Sequence, residues 1–288
     1  MAVNPQIKTL ALRPPKAPNL PIAPVDYRQR YQDQVLNALR LYFNEIDNFG
    51  FGLLSDTGGA SLSFPHGSFY QNGTTELTAN ITNVSTTPIQ VTSTADFQSA
   101  GLILIADELI QYTGKTATTF TGITRGVKST TNVAHTAGVA VTEAAGVTAG
   151  SSEAMVIDTV VSSVGITCTV PDSKVYFTNA GFYNIQFGVQ LLNFTTSEDN
   201  VTIWLRKNGS DVPYSAGVQQ VNAKHGSTPG SQITAWNYVD QFAAGDYFEF
   251  YWTSDTGNTV LATFPAGTTP VHPVSPSLIL TVTFVSAV

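Results

Sequence analysis

Four histidines, His66, His135, His225 and His272, and 20 acidic side chains are the groups in this sequence that could hold a metal or move a proton. No two histidines stand at a paired helical or strand spacing, and H-E-x-x-H is absent, so the usual imidazole zinc signature is missing. Oxygen ligands cluster at "TSEDN" (196–200) and "SDTGN" (254–258), where calcium could sit; each also reads as a plain acidic loop between strands. Glycosidic cleavage needs two carboxylates at a fixed separation, one of them kept protonated. Asp172, Glu198, Asp199, Asp211 and Asp255 stand in turn-like contexts that keep them ionised and apart, and Asp246 with Glu249 is a pair by sequence proximity alone. Neither G-x-S-x-G nor a phosphate loop occurs. The expectation is a protein that is not an enzyme, with no catalytic residue, metal or cofactor.

The composition points the same way. Charged residues make up 11% of the chain and apolar ones 42%, the remainder being rich in the small polar residues that suit turns. A net charge of −7 speaks against nucleic acid and against an anionic membrane surface. Cys168 stands alone, which excludes an intrachain disulfide. No run approaches the ~20 apolar residues of a membrane span, so no membrane insertion is expected. The opening "MAVNPQIKTLALRPPK" lacks an apolar signal core, and synthesis in a cytoplasm is the expectation.

Five segments would position these groups. Residues 1–24 read as a proline-rich extended arm in which Leu20 and Ile22 suit contact with a partner better than solvent. Residues 25–48 read as a helix capped by Asp26 and ended by Asn48-Phe49-Gly50. Its apolar face gathers Tyr27, Tyr31, Val35, Leu36, Leu39, Phe43 and Ile46, opposite Arg28, Gln32, Asn37 and Arg40. With little of its own chain to cover it, that face is expected to dock on other subunits or proteins. Residues 49–64 read as a linker, and residues 87–146 as a small β module inserted into a larger β domain formed by 65–86 and 147–288.

In the larger domain apolar and polar residues alternate along long strands. "IWLRKNGSDVP" (203–213) reads as a hairpin, because Asn208 and Gly209 both tolerate positive φ. "YFEFYW" places aromatics on both faces of one strand, and Tyr247, Phe248, Phe250, Tyr251 and Trp252 are expected to meet sister subunits. Phe242, Trp236 and Trp204 read as ordinary core. Asn208, Asp211, Tyr214, Lys224 and His225 lie in outer loops that suit contact with another surface.

"FTNAGFYNIQFGVQL" (177–191), "IWLRKNGSDVP", "AAGDYFEFYW" (243–252) and "PSLILTVTFV" (276–285), in this order, resemble the jelly-roll domain of phage virion proteins. That domain is similar to the trimeric heads of the tumour necrosis factor and complement families. "PHGSFYQNGTTELTAN" (65–80) looks like its opening strand, and residues 93–127 resemble a small β repeat of phage tail and fibre proteins. Residues 20–49 resemble an attachment region of marine, cyanophage-like structural proteins. The resemblance implies a mainly β virion protein, made in the host cytoplasm. It would be a homotrimeric tail or head fibre-like appendage held by arm and helix to other virion proteins, its jelly-roll head meeting a host-surface glycan or protein. The alternative is a capsid decoration protein that stabilises the shell and binds no receptor.

Overall fold

The computed structural model describes residue 16 and residues 18–22, 25–26, 28–54 and 64–288. Most of the predicted arm and linker, and Tyr27, lie outside the described residues. The chain divides at Phe64 into a helical unit and a β unit.

Helix α1 spans Gln29–Leu54, later at both ends than the sequence predicts. The Arg28 carbonyl accepts the amides of Tyr31 at 3.0 Å and Gln32 at 3.4 Å, so Arg28 stands at the N-cap. Asp26 is too early to serve there, because a cap must reach the second or third helical amide. Gly50 and Gly52 both stay helical: each glycine costs about 1 kcal/mol relative to alanine, and the pair does not end the helix. Tyr31, Val35, Leu39 and Ile46 are half-buried, Phe43 is 57% exposed and Ile22 is 95% exposed. No described side chain of α1 is fully buried, and Leu36 and Phe43 are more than half exposed.

The β unit begins with β1 (His66–Gln71), β2 (Thr74–Glu76), β3 (Ile89–Gln90), β4 (Gly101–Ile105), β5 (Glu108–Tyr112), β6 (Gly114–Lys115), β7 (Thr119–Thr121) and β8 (Ala140–Gly146). It continues with β9 (Glu153–Ala154), β10 (Thr159–Val164), β11 (Ile166–Thr167), β12 (Val175–Phe177), β13 (Gly181–Asn193), β14 (Asp199–Lys207) and β15 (Ser210–Asp211). The last strands are β16 (Gly217–Val221), β17 (Gly230–Phe242), β18 (Tyr247–Ser254), β19 (Thr259–Ala262), β20 (Gly267–Thr268), β21 (Val271–His272) and β22 (Leu278–Ser286). The molecule is mainly β with one helix among the described residues.

Two sheets enclose the main core. The first runs β10-β1-β22-β13-β19-β8-β4-β5, with β17 along the other edge of β13; the second runs β11-β12-β18-β14-β15, with β16 on β14 and β9 on β18. Alternation sets the faces: Tyr183, Ile185, Phe187, Val189 and Leu191 of β13 point inward against Val201, Ile203, Leu205, Phe248, Phe250 and Trp252. The inserted segment has its own core, built on Ile89, Phe97, Ile103, Ile110 and Phe120. Leu77 and Ile81 pack there too, so the chain leaves the sandwich at Asn72-Gly73, earlier than residue 87. The insert also shares a sheet with the sandwich. Strand β8 pairs with β19, and Leu102, Leu104 and Leu109 pack on Leu192, Phe194 and Val260 across the seam.

The register corrects the reading of the aromatic ribbon. Phe248, Phe250 and Trp252 lie 0%, 3% and 1% exposed in the protomer's own core, which leaves them nothing to offer a sister subunit. Tyr247 and Tyr251 alone point outward. Phe242 is core as expected and Trp236 is half-buried against it, but Trp204 lies on the outer face, half-exposed beside Tyr251 with ring centroids 6.0 Å apart. Replacing Phe248 by alanine is expected to cost about 3–5 kcal/mol in denaturant unfolding. Tyr247→Ala, one step away on the outer face, is expected to cost less than ~1.5 kcal/mol.

Candidate functional site

The hairpin at Asn208-Gly209 has the conformation its residues predict, with φ of 50° and 79° at the two central positions. Its polar side chains fasten it to the neighbouring turn at residues 243–247. Asn208 Nδ2 donates to Asp246 Oδ1 at 2.8 Å, and its Oδ1 accepts the Tyr247 amide at 3.0 Å. Lys207 Nζ lies 3.6 Å from Asp246 and 4.6 Å from the Phe242 ring centroid. The Ala243 amide and Asn208 hold the Asp246 carboxyl below its usual range. Asp211 accepts Trp204 Nε1 at 2.8 Å and pairs with Arg206 Nε at 3.1 Å, while the Arg206 guanidinium covers the Tyr251 ring at 4.3 Å. The charges around this turn are therefore its own fasteners. Asn208 and Asp211, expected as contact residues, are engaged within the protomer.

Tyr214 differs from them. It is wholly exposed and its backbone is left-handed, with φ of 63°, which a bulky residue adopts only at a cost. The next residue locks that conformation. Ser215 is buried, its hydroxyl donates to the Val212 carbonyl at 2.8 Å and accepts the Leu205 amide at 3.0 Å, and its carbonyl accepts the Tyr238 hydroxyl at 2.5 Å. A fixed loop thus holds out an aromatic ring that packs on nothing.

Lys224 and His225 lie elsewhere. The Lys224 amide donates to the Thr195 carbonyl at 2.8 Å, and His225 closes a small hairpin with Thr228, the two amides donating at 2.9 and 3.1 Å. Thr195 precedes β14 and Asn208 follows it, so these loops sit at opposite ends of a strand about 27 Å long. The five expected contact residues do not form one surface. Pro65, where the chain joins the β unit, is at the Asn208 end, since the Phe284 amide donates to its carbonyl. The insert is at the Lys224 end, where Lys128 Nζ donates to the carbonyls of Val147, at 2.9 Å, and Gly257.

The two acidic loops considered for calcium meet around Asp199, which is buried. Its Oδ1 accepts the Thr256 amide at 3.0 Å, and its Oδ2 accepts the Ser254 hydroxyl at 2.6 Å, the Thr259 hydroxyl at 2.7 Å and the Thr259 amide at 3.1 Å. Four donors fill the carboxylate and organise the 254–259 turn. Burial alone would raise this carboxyl, but the hydrogen bonds from Ser254, Thr259 and Thr256 outweigh it and hold it below the usual aspartate range.

Two further carboxylate groupings carry no motif. Glu108, fully buried in the insert, accepts Arg125 Nε at 2.6 Å and Nη2 at 2.7 Å and meets His135 Nε2 at 2.9 Å. Burial raises its carboxyl, and the Arg125 and His135 hydrogen bonds bring it below the ordinary glutamate range. Glu143 and Asp158 come together at the root of the insert. Burial pushes the Cys168 thiol up to about 12, which keeps it protonated. Among the described residues no three His, Cys, Asp or Glu side chains converge as a metal site, and no helix is long and apolar enough to cross a membrane. No protein-family model and no curated protein matches the chain.

Two expectations follow from these geometries. Asp199→Asn places an amide against three donors of its own kind and is expected to lose ~2–4 kcal/mol at neutral pH. Because the native carboxyl is depressed, its contribution is present above about pH 4 and fades as pH falls through the native value. The variant should therefore have a flatter acid limb than the parent in thermal melts against pH. Tyr214→Gly relieves a left-handed backbone and loses no packing, so its melting midpoint should rise by ~2 °C.

Proposed function

We propose that this chain is a structural subunit of a phage virion, a homotrimeric fibre-like appendage of tail or head. Arm and helix hold it to other virion proteins, and a jelly-roll head faces the host. The observation that carries this reading is the outer face of β10-β1-β22-β13-β17. Strand register puts Asn184, Gln186 and Gln190 of β13 beside Val239, Asn237 and Ile233 of β17 and beside Ile279 and Thr281 of β22. No Asp, Glu, Lys or Arg projects from this five-strand face, on which the His66 imidazole meets the Ser162 hydroxyl at 3.1 Å, although Arg206 stands on the opposite sheet. At its centre, a shallow groove of about 430 Å³ runs over Gly188 and Ala235. A broad, flat, uncharged surface suits burial against copies of itself, since no charge has to be desolvated.

Strand order supports the jelly-roll reading. Strands β13, β17 and β22 fall in the first sheet and β14, β16 and β18 in the second, so the chain crosses the sandwich repeatedly, with β1 and β10 completing the sheet that bears the uncharged face. The exposed Leu36 and Phe43 of α1 support docking through the helix. Within the β unit, Pro65 and the Asn208 turn lie at one end, and the insert and the Lys224–His225 loop at the other. The trimer interface moves from the aromatic ribbon to the charge-free face.

The test is mass photometry of the full chain at micromolar concentration. Wild type should weigh three times the 30.7 kDa chain, and Ala235→Glu, an exposed position, should weigh one chain with its fold intact by circular dichroism. A wild type of single-chain mass overturns the trimer. Purified trimer that blocks phage adsorption supports host contact. Particles that lack the protein, adsorb normally and burst on mild heating would assign it to capsid decoration.

A further inference from the structure

Asn72 and Gly73 carry the chain out of the sandwich into the insert, and Glu143 on β8 lies on its way back. Asp158 Oδ2 accepts both outgoing amides, Asn72 at 2.8 Å and Gly73 at 3.0 Å, and Oδ1 accepts the Thr159 hydroxyl at 2.8 Å. The Glu143 amide donates to the Gly73 carbonyl at 2.8 Å. Outgoing and returning chain are thereby tied at one point.

The Glu143 side chain closes that knot. It is 3% exposed and its Oε2 has no N–H or hydroxyl partner; Oε2 and Asp158 Oδ2, which accepts the Gly73 amide at 3.0 Å, both close on Gly73. A Cβ on Gly73 would stand 2.8 Å from the Asp96 carbonyl oxygen and 2.9 Å from that Glu143 oxygen, and the fixed backbone contact is what favours glycine there. Two ionised carboxylates that converge on one residue in a buried site repel each other strongly. A single proton between them converts the repulsion into a short, charge-assisted hydrogen bond and gives Oε2 its partner.

The surroundings supply no competing cation. Gln71 and Gln98, which line the same cavity as Glu143, are neutral. Tyr112, from β5, stays protonated, its hydroxyl pushed up by burial and by Glu143. Glu143, Lys128 and Glu153 line one cavity of about 580 Å³, in which the Lys128 ammonium is held by the Val147 and Gly257 carbonyls. The Asp96 carbonyl, over Gly73, is an acceptor only.

We propose that Glu143 and Asp158 share one proton that clasps the root of the insert, and that its loss at alkaline pH loosens the insert while the sandwich stays folded. Burial, and then Asp158, raises the Glu143 carboxyl well above the ordinary glutamate range; burial raises Asp158 as well. For groups raised in this way the stabilisation is complete below the ordinary carboxylate range and is lost as pH climbs through the raised value. Insert and sandwich share the seam of β8 and β19, so the clasp governs how firmly the insert is held.

The experiment is amide hydrogen exchange on the full chain between about pH 6 and about pH 9, compared with Glu143→Gln, whose amide N–H replaces the shared proton at every pH. Protection factors at Asn72, Gly73 and Glu143 should fall at least ~10-fold in wild type, stay level in the variant, and stay level at Ile185 in both. Equal pH profiles in the two proteins overturn the proposal. So does a fall that survives in Glu143→Gln and vanishes in Lys128→Gln, which would assign the titration to the lysine. Calcium that restores protection in wild type at alkaline pH would mark a cation site and overturn it too. Should Glu143→Gln not fold, carboxyl carbon NMR of wild type decides: Glu143 titrating in the ordinary glutamate range contradicts the shared proton.

Discussion

Strand β13 is hydrogen-bonded along both edges, to β17 over its whole length and to β22 and then β19 on the other side. Because side chains alternate with a period of two, that double pairing leaves one face inward and one outward, with no freedom to slip. The inward face carries Tyr183, Ile185, Phe187, Val189 and Leu191 into the core. The outward face is consequently fixed as a row of amides and small residues continued by β17 and β22. The charge-free surface is thus a consequence of the same register that builds the sandwich, and a single-residue shift would bury glutamines and expose the core.

The same strand ties the insert to the sandwich. By pairing with β19 at Leu191–Asn193, β13 sets the edge on which β8 continues, and the insert becomes an extension of one sheet with a core of its own. Polar side chains then fix what the sheets leave loose. Asp199 organises the turn at 254–259 near the insert, while Asn208 and Asp246 organise the opposite end near Pro65. Tyr214 is an exposed aromatic held at the Pro65 end of the β unit, on a loop that Ser215 keeps rigid.

Much of this was legible in the sequence where the signal is local. The Asn208-Gly209 hairpin follows from two residues that tolerate positive φ, and β13, β14 and β22 follow from clean alternation. What was not legible depends on partners distant in sequence. "YFEFYW" puts rings on successive positions, so alternation says nothing about which ones face in; the pairing of Val175 with Phe248 and of Tyr176 with Tyr247 decides it. Trp204 looks like core by type and is turned outward by its place between the inward Ile203 and Leu205. Asp199 reads as an exposed acid until the turn at 254–259 folds over it. Helix α1 outran its expected end, through both Gly50 and Gly52, whose combined cost of about 2 kcal/mol does not stop it. Glu143 and Asp158 have no motif at all, since only the crossing at Asn72-Gly73 brings them together.

The central claim, that the uncharged face of β10-β1-β22-β13-β17 is completed by copies of the same chain, is tested most directly by a single-particle image of the purified full-length protein at side-chain detail. The account predicts three protomers about one axis, with Ile233, Ala235 and Ile279 buried between neighbours. A lone protomer with that face bare, or protomers joined through Tyr247 and Tyr251 on the other sheet, would contradict it.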